Sequence, residues 1–387
     1  MDSIPRATGS FPATARASWD RRLLLTILGI FLVSRAALLL VAHLAFIGLD
    51  HDSALPENLL SYLCRWDCGW YLTLAEQGYS TAGIPSQPGA TNYAFFPLFP
   101  LLIRIAAPFF GGTYLPAAIL VSNACFFAAL LYIYRYARLL GHDEHTALLA
   151  LAMLCIMPQS IVFSAAYSES VFLLLLAASI YHLRTEHYLA AACAAALLSA
   201  TRANGIFILV FFLVWVIRRI GLSGLVRPWR KPELFVPIVL APLGLFSFLG
   251  YCFITTGDAF AYSSTELYGW GWNFGLPWIK LDVLLRSPGV APLAAIISMG
   301  VLACCLLLLR GRLYEEFALC TALIFLIWSG HAAASVFRYW IVLFPIWVAL
   351  SARISPRPIL TAMTISVMAL LNGLMTCAWI LQKGLAI

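Results

Sequence analysis

Residues 23–48, LLLTILGIFLVSRAALLLVAHLAFIG, decide what kind of chain this is. The run is long enough to cross a hydrocarbon core of about 30 Å as one helix. It is too long for the apolar region of a cleaved signal, and no small-x-small cleavage pattern accompanies it. It reads as a retained first membrane span. Similar runs recur along the whole chain of 387 residues, which is 62% hydrophobic and only 11% charged. Its mean hydropathy is +0.90. Soluble domains are about a quarter charged, so they are excluded, and an all-α polytopic membrane protein is expected. The net charge of +7 is no sign of nucleic-acid binding, because the basic residues sit in short segments between apolar runs, where they determine topology.

Those segments assign sides. Residues 1–22 carry Arg6, Arg16, Arg21 and Arg22 and form a cytoplasmic tail, so the first span exits outward. A first outer loop follows, about 49–113; within it, 93–112 has two prolines at its head and Gly111-Gly112 at its end and is read as interfacial or re-entrant. Further spans are placed at 114–140, 145–164, 168–183, 188–201, 204–217, 233–254, 289–309, 314–332, 339–352 and 358–381. The Arg218–Lys231 loop is the strongest inside marker. The result is a single integral-membrane domain, 23–387, with about eleven spans, the N-terminus inside and the C-terminus outside.

On this count Asp67, the 164–170 turn, the 201–205 turn, Thr256-Gly257-Asp258 and Arg338-Tyr339 share the outer face. The polar residues that topology does not explain therefore lie where one site could use them. Asp67 stands in Arg65-Trp66-Asp67-Cys68-Gly69-Trp70-Tyr71, a carboxylate among three large aromatics. It reads either as a loop acid in an aromatic belt or as a general base in a partly dry cleft. Glu169 lies among Ser164, Tyr167, Ser168 and Ser170; it is a helix N-terminal acid or a contact to a sugar hydroxyl or metal. Arg202 and Arg338 break the cytoplasmic bias of most other arginines near span ends, and arginine suits a phosphate. Asp258 after Gly257 is a turn residue by pattern, and the 255–288 loop, with Trp270, Trp272 and Trp278, is a belt or a lid. Of ten cysteines, eight lie in apolar runs and read as small hydrophobes. Cys64 and Cys68 flank the motif at a spacing open to a metal or a disulfide, with no histidine close by to strengthen a zinc site.

Trp66-Asp67-x-x-Trp70-Tyr71, then Gly78-Tyr79 and Phe95-Phe96-Pro97-Leu98-Phe99-Pro100, resembles the phosphatidylinositol-glycan class V (PIG-V) mannosyltransferases and their prokaryotic relatives. Pro158-x-Ser160, the Ser164–Ser170 turn and Ser199-Ala-Thr201-Arg202-x-x-Gly205 extend the match, which is densest between about 62 and 210. The chain departs from the pattern at Cys68, where a small residue is usual. The resemblance implies a GT-C fold, a site on the exoplasmic side, a polyprenyl-phosphate-linked sugar donor (mannose in the eukaryotic enzymes) and inversion at the anomeric carbon. Asp67 would be the base, Arg202 and Arg338 would hold the donor phosphate, and Trp66, Trp70, Tyr71, Tyr167, Glu169 and Asp258 would contact sugar or acceptor.

A lone base is chemically sufficient, because a phosphate leaving group departs without being protonated, whereas glycosidases need a second carboxyl for their alkoxide. No cofactor is expected beyond the lipid-linked sugar; a divalent cation stays open. Partners are membrane lipids, the donor and a lipid or glycan acceptor. The membrane would be the inner membrane of a prokaryote or the endoplasmic reticulum of a eukaryote. A transporter or flippase of lipid-linked substrates is the competing class, against which stand the one-sided polar motifs and the lack of a visible internal repeat. An inactive accessory subunit is the third.

Overall fold

The computed structural model describes residues 20–49, 58–82, 89–289, 291–330 and 336–382, and no strand occurs among them. The tail up to residue 19 and parts of the first loop fall outside the described residues. The helices are α1 (Arg21–Leu49), α2 (Cys68–Gln77), α3 (Leu98–Ala106), α4 (Tyr114–Leu139), α5 (Glu144–Cys155), α6 (Glu169–Arg184), α7 (Tyr188–Ser199), α8 (Ile208–Leu225) and α9 (Val236–Leu240). Then come α10 (Leu243–Thr256), α11 (Ala261–Trp270), α12 (Pro277–Arg286), α13 (Ala291–Arg310), α14 (Tyr314–Ser329), α15 (Val336–Trp340), α16 (Phe344–Ile354) and α17 (Pro358–Ile380).

A helix, or two in succession, occupies every segment that hydropathy marked as a span. Six helical segments among the described residues are long and apolar enough to cross a membrane, and four shorter apolar helices accompany them. The stretch at 93–112 folds as α3 between two 3-10 turns; α3 has nine residues, about 14 Å, which is too short to span alone. One boundary differs from expectation. The span placed at 145–164 is helical only to Cys155, after which the chain turns irregularly to Ser168. Pro158 has no amide to continue the ladder, and the polar Gln159, Ser160 and Ser164 replace apolar residues there.

α4 is the central post, with Phe126, Ala129, Leu130, Ile133 and Ala137 all fully buried, and α5 and α6 pack along it. α1 and α17 lie outside and expose leucines such as Leu32, Leu40, Leu370 and Leu374, a surface suited to lipid tails. α7 is alanine-rich, and Ala191, Ala192 and Ala195 let neighbouring backbones close in on it. At Gly244 the fit of α10 against α7 is so tight that a Cβ would lie 2.0 Å from the Ala196 carbonyl oxygen. Gly244→Ala should therefore cost about 1–3 kcal/mol, read as a lowered melting temperature in detergent; an unchanged melting temperature would show that the helices part freely there.

At the end of the bundle assigned to the cytoplasm, Arg184 on α6 donates to Glu316 Oε1 (2.5 Å) and Oε2 (2.7 Å) on α14. Tyr136 on α4 donates to the same Glu316 (2.9 Å), and Arg218 on α8 pairs with Glu315 (2.7 Å). This network joins α4, α6, α8 and α14 opposite the face where the candidate site lies.

Candidate active site

Asp67 sits at the entrance of α2, and its surroundings fix its direction. Trp66 just before it has φ 43°, the left-handed region that a bulky residue enters only when its neighbours hold it there. Cys64 and Cys68 form a disulfide across the turn, which settles the alternative left open by their spacing. Tyr167 holds the same turn from behind: its hydroxyl accepts from the Asp67 amide (3.2 Å) and donates to the Arg65 carbonyl (3.1 Å). Trp66 lies edge-on to Trp379 of α17 at 4.8 Å, and Trp379 Nε1 donates to the Tyr62 carbonyl (2.8 Å). The loop is thus docked on the last helix.

Glu169 reaches the site because α6 starts there. The irregular 156–168 stretch that delivers it is held by polar groups from three helices. Arg35 of α1 donates to the Ser160 carbonyl (2.9 Å) and to the Cys155 carbonyl. Asn123 of α4 accepts from the Ser164 hydroxyl (2.8 Å), and Asn372 of α17 donates to Ser160 Oγ (2.8 Å). Ser168, immediately before Glu169, shares a hydrogen bond with the Tyr71 hydroxyl (3.0 Å).

Arg338 on α15 donates to Asp67 Oδ2 at 2.5 Å, joining residues 271 apart in sequence. Arg202 pairs with Glu169 Oε1, and Arg338 Nε lies 3.8 Å from that same oxygen. The two ion pairs are therefore one cluster. Its side chains are largely withdrawn from solvent, with Glu169 at 1% exposure and Asp67 the most open at 18%. The Tyr339 ring lies between the two guanidiniums, 4.8 Å from Arg202 and 5.5 Å from Arg338, a cation–π arrangement that keeps both planes in place. Glu169 Oε2 and Arg338 Nε are buried without a hydrogen-bond partner among the described residues, which is costly unless something else bonds them.

The structure thus gathers Asp67, Glu169, Arg202 and Arg338, with Trp66 beside them. Trp70 stacks on Phe95 at 5.8 Å and meets Trp270 edge-on at 5.7 Å, forming a wall. Tyr71 and Tyr167 are buried, and their hydroxyls bond Ser168 and the Asp67 turn. Asp258 is not gathered. Its carboxylate accepts from the Phe260 amide (2.8 Å) and the Ser264 hydroxyl (3.0 Å), so it shapes the turn into α11.

Three contributors escape sequence reasoning: Arg35, Asn123 and Glu266. An arginine in the middle of the first span was a visible signal for Arg35. Glu266 lies on α11, within the loop that was read as belt or lid; it is half-buried, and burial pushes its carboxyl up to about 7, with nearby Asp67 adding and Arg338 and Arg202 opposing. No group of three or more His, Cys, Asp or Glu side chains among the described residues has the arrangement of a metal site.

A family model described as mannosyltransferase (PIG-V) matches residues 22–297. The chain is 30% identical over 223 residues to GPI alpha-1,6-mannosyltransferase 2 of Mus musculus, covering 53% of this chain and 44% of the mouse protein. It is 28% identical over 168 residues to the Homo sapiens protein of that name, covering 41% and 32%. The matched part is thus less than half the length of either relative. Among solved structures, ArnT from Cupriavidus metallidurans bound to undecaprenyl phosphate superposes with a TM-score of 0.53 at 13% identity, over 90% of this chain and 64% of that one. The architecture is accordingly that of the GT-C membrane glycosyltransferases.

Proposed function

The chain belongs to the mannosyltransferase (PIG-V) family, and from that membership we propose that it transfers a sugar, mannose by family, from a polyprenyl-phosphate carrier to a hydroxyl of a lipid or glycan. The reaction takes place at the outer face of the membrane and inverts the anomeric carbon. The observation that carries this reading is the joining of the Asp67–Arg338 and Glu169–Arg202 pairs through the 3.8 Å approach of Arg338 to Glu169. It supplies a base, two phosphate-binding groups and a sugar contact in one place.

In this mechanism Asp67 Oδ2 is held by Arg338, which leaves Oδ1 to accept the proton of the acceptor hydroxyl. The hydroxyl oxygen forms its bond to the anomeric carbon as the bond from that carbon to the carrier phosphate breaks. The electron pair leaves with the phosphate, whose growing charge Arg202 and Arg338 stabilise. Glu169 Oε2, lacking a partner, is available to orient a sugar hydroxyl. Trp66 and Trp70 wall the reacting groups from water and so limit hydrolysis. With guanidinium donors placed to bind the leaving phosphate, activity is expected to survive a chelator; loss of activity with EDTA, restored by a divalent ion, would reverse that.

An apolar cavity of about 610 Å³ opens between α2, α3, α7 and α10, lined by Leu98, Leu101, Leu197, Leu243 and Phe248, with Arg104 at its edge. It reaches Ala200, two residues from Arg202, and serves here as the seat of the carrier's isoprenoid chain. Filling it with Leu197→Trp should raise KM for the lipid-linked donor about tenfold while sparing the melting temperature; an unchanged KM would move the chain elsewhere. The disulfide beside Asp67 fits an oxidising, outer compartment, in agreement with the charge-based topology. In a prokaryote that means the inner membrane; in a eukaryote, the endoplasmic reticulum.

Purified protein in detergent, given radiolabelled polyprenyl-phosphate mannose and candidate acceptors, should form a new glycoside. A transporter would form none without a sealed compartment, and an absent product would favour that class.

A further inference from the structure

Two carboxylates, Asp67 and Glu169, face two guanidiniums, Arg202 and Arg338, so the gathered charges cancel. A third carboxylate, Glu266 on α11, lies close enough for Asp67, Arg338 and Arg202 to act on it electrostatically. α11 is fastened to the first loop by the Thr265–Thr91 hydroxyl pair (3.0 Å), by Trp270 against Trp70 (5.7 Å) and by Tyr262 against Phe96 (5.1 Å). Gly269 approaches Ala90 so closely that a Cβ would lie 2.7 Å from its Cα, which fixes the height of the helix. Tyr262, Glu266 and Trp270 are four residues apart and share one helix face. The Trp70–Trp270 contact turns that face toward the turn that carries Asp67.

The charged groups acting on Glu266 are Asp67 from the head of α2, Arg338 from α15 and Arg202 from the turn before α8. Glu169 of α6 stands behind them, paired to Arg202, while Tyr71, Tyr339 and Tyr262 complete the titratable surroundings. The Glu266 carboxylate has no hydrogen-bond or ion-pair partner among the described residues, unlike Asp67 and Glu169. A carboxylate with no direct partner beside a charge-neutral cluster takes a proton more readily once another anion arrives.

The following rests on the donor reading above. We propose that Glu266 belongs to the donor site and takes up a proton when the donor binds, so that a neutral carboxyl faces the incoming phosphodiester. The donor brings one negative charge into a cluster with no spare positive charge. An ionised Glu266 would repel it, whereas a protonated one can donate a hydrogen bond to a phosphate or sugar oxygen. Binding is then linked to proton uptake: it is strong below the carboxyl's range, and it weakens by up to tenfold for each pH unit above it.

The test uses full-length protein in detergent and a short-chain polyprenyl-phosphate mannose, whose phosphodiester keeps one charge throughout pH 5.5–8.5. Wild-type Kd should rise at least about tenfold between pH 6.5 and 8.5. Titration calorimetry at pH 7.5 in two buffers of different ionisation enthalpy should show protons entering the complex. Glu266→Gln and Glu266→Ala should each give a Kd that does not vary with pH over the same range. A wild-type Kd flat with pH, or a slope retained in either variant, would overturn the proposal. Absence of donor binding at every pH would instead overturn the donor reading, and this inference with it.

Discussion

Asp67→Asn protein should form glycoside about 10²–10⁴-fold more slowly than wild type while binding the lipid-linked donor no more weakly. The asparagine preserves shape and can still accept from Arg338, so the turn held by Tyr167 and the disulfide stays in place. On the proposed role of Asp67, what is lost is the capacity to take the proton of the attacking hydroxyl. Removing one negative charge from a balanced cluster leaves it net positive, which favours an anionic donor rather than disfavouring it. The expected signature is therefore a fall in single-turnover rate without a rise in donor Kd. Near-normal turnover would remove Asp67 from the role of base, and a parallel loss of binding and rate would make it a positioning residue.

The second large effect lies at the other end of the bundle. Glu316→Ala should destabilise the protein by about 3–5 kcal/mol, because it strips Arg184 of both its shortest bonds and leaves a buried guanidinium with only the 3.4 Å approach of Glu315. Tyr136 loses its acceptor in the same change. In detergent the melting temperature should fall by on the order of 10 °C. Replacing the pair together, as Arg184→Met with Glu316→Leu, should recover a good part of that loss, since apolar residues need no partner there. A double variant as unstable as the single one would show that the network is needed for more than neutralising a buried charge.

The parts of the fold that follow from local chemistry were legible from the sequence. Apolar runs must become helices where no water can satisfy their backbone, so each predicted span is helical, and the prolines and glycines around 93–112 mark a segment too short to cross. Charge bias separated Arg202 and Arg338 from the arginines near span ends that it assigns to the cytoplasm, and these two do meet around Asp67 and Glu169. The same bias misses what depends on distant partners. Arg218 opens the loop that marks the inside, yet it pairs with Glu315 while Arg184 pairs with Glu316, and no periodicity links residues so far apart. Glu266 carries no signal of its own in the sequence, because only the packing of α11 on the first loop brings it near Asp67. Asp258 shows the converse: its Gly-Asp pattern pointed to a turn, and the turn accounts for both of its oxygens.

Arg35 is central in α1, fourteen residues from either end of Arg21–Leu49. A guanidinium at that depth opposes insertion of an isolated helix by about 2.5 kcal/mol or more. The carbonyls and hydroxyls that offset it, those of Cys155, Ser160 and Ser164, are translated more than a hundred residues later. While the chain is being made, α1 therefore waits in the bilayer with an unmet cation. That demand is relieved when the end of α5 arrives and the 156–168 stretch folds around it. The groups that satisfy the first helix are thus the same stretch that delivers Glu169 to the head of α6.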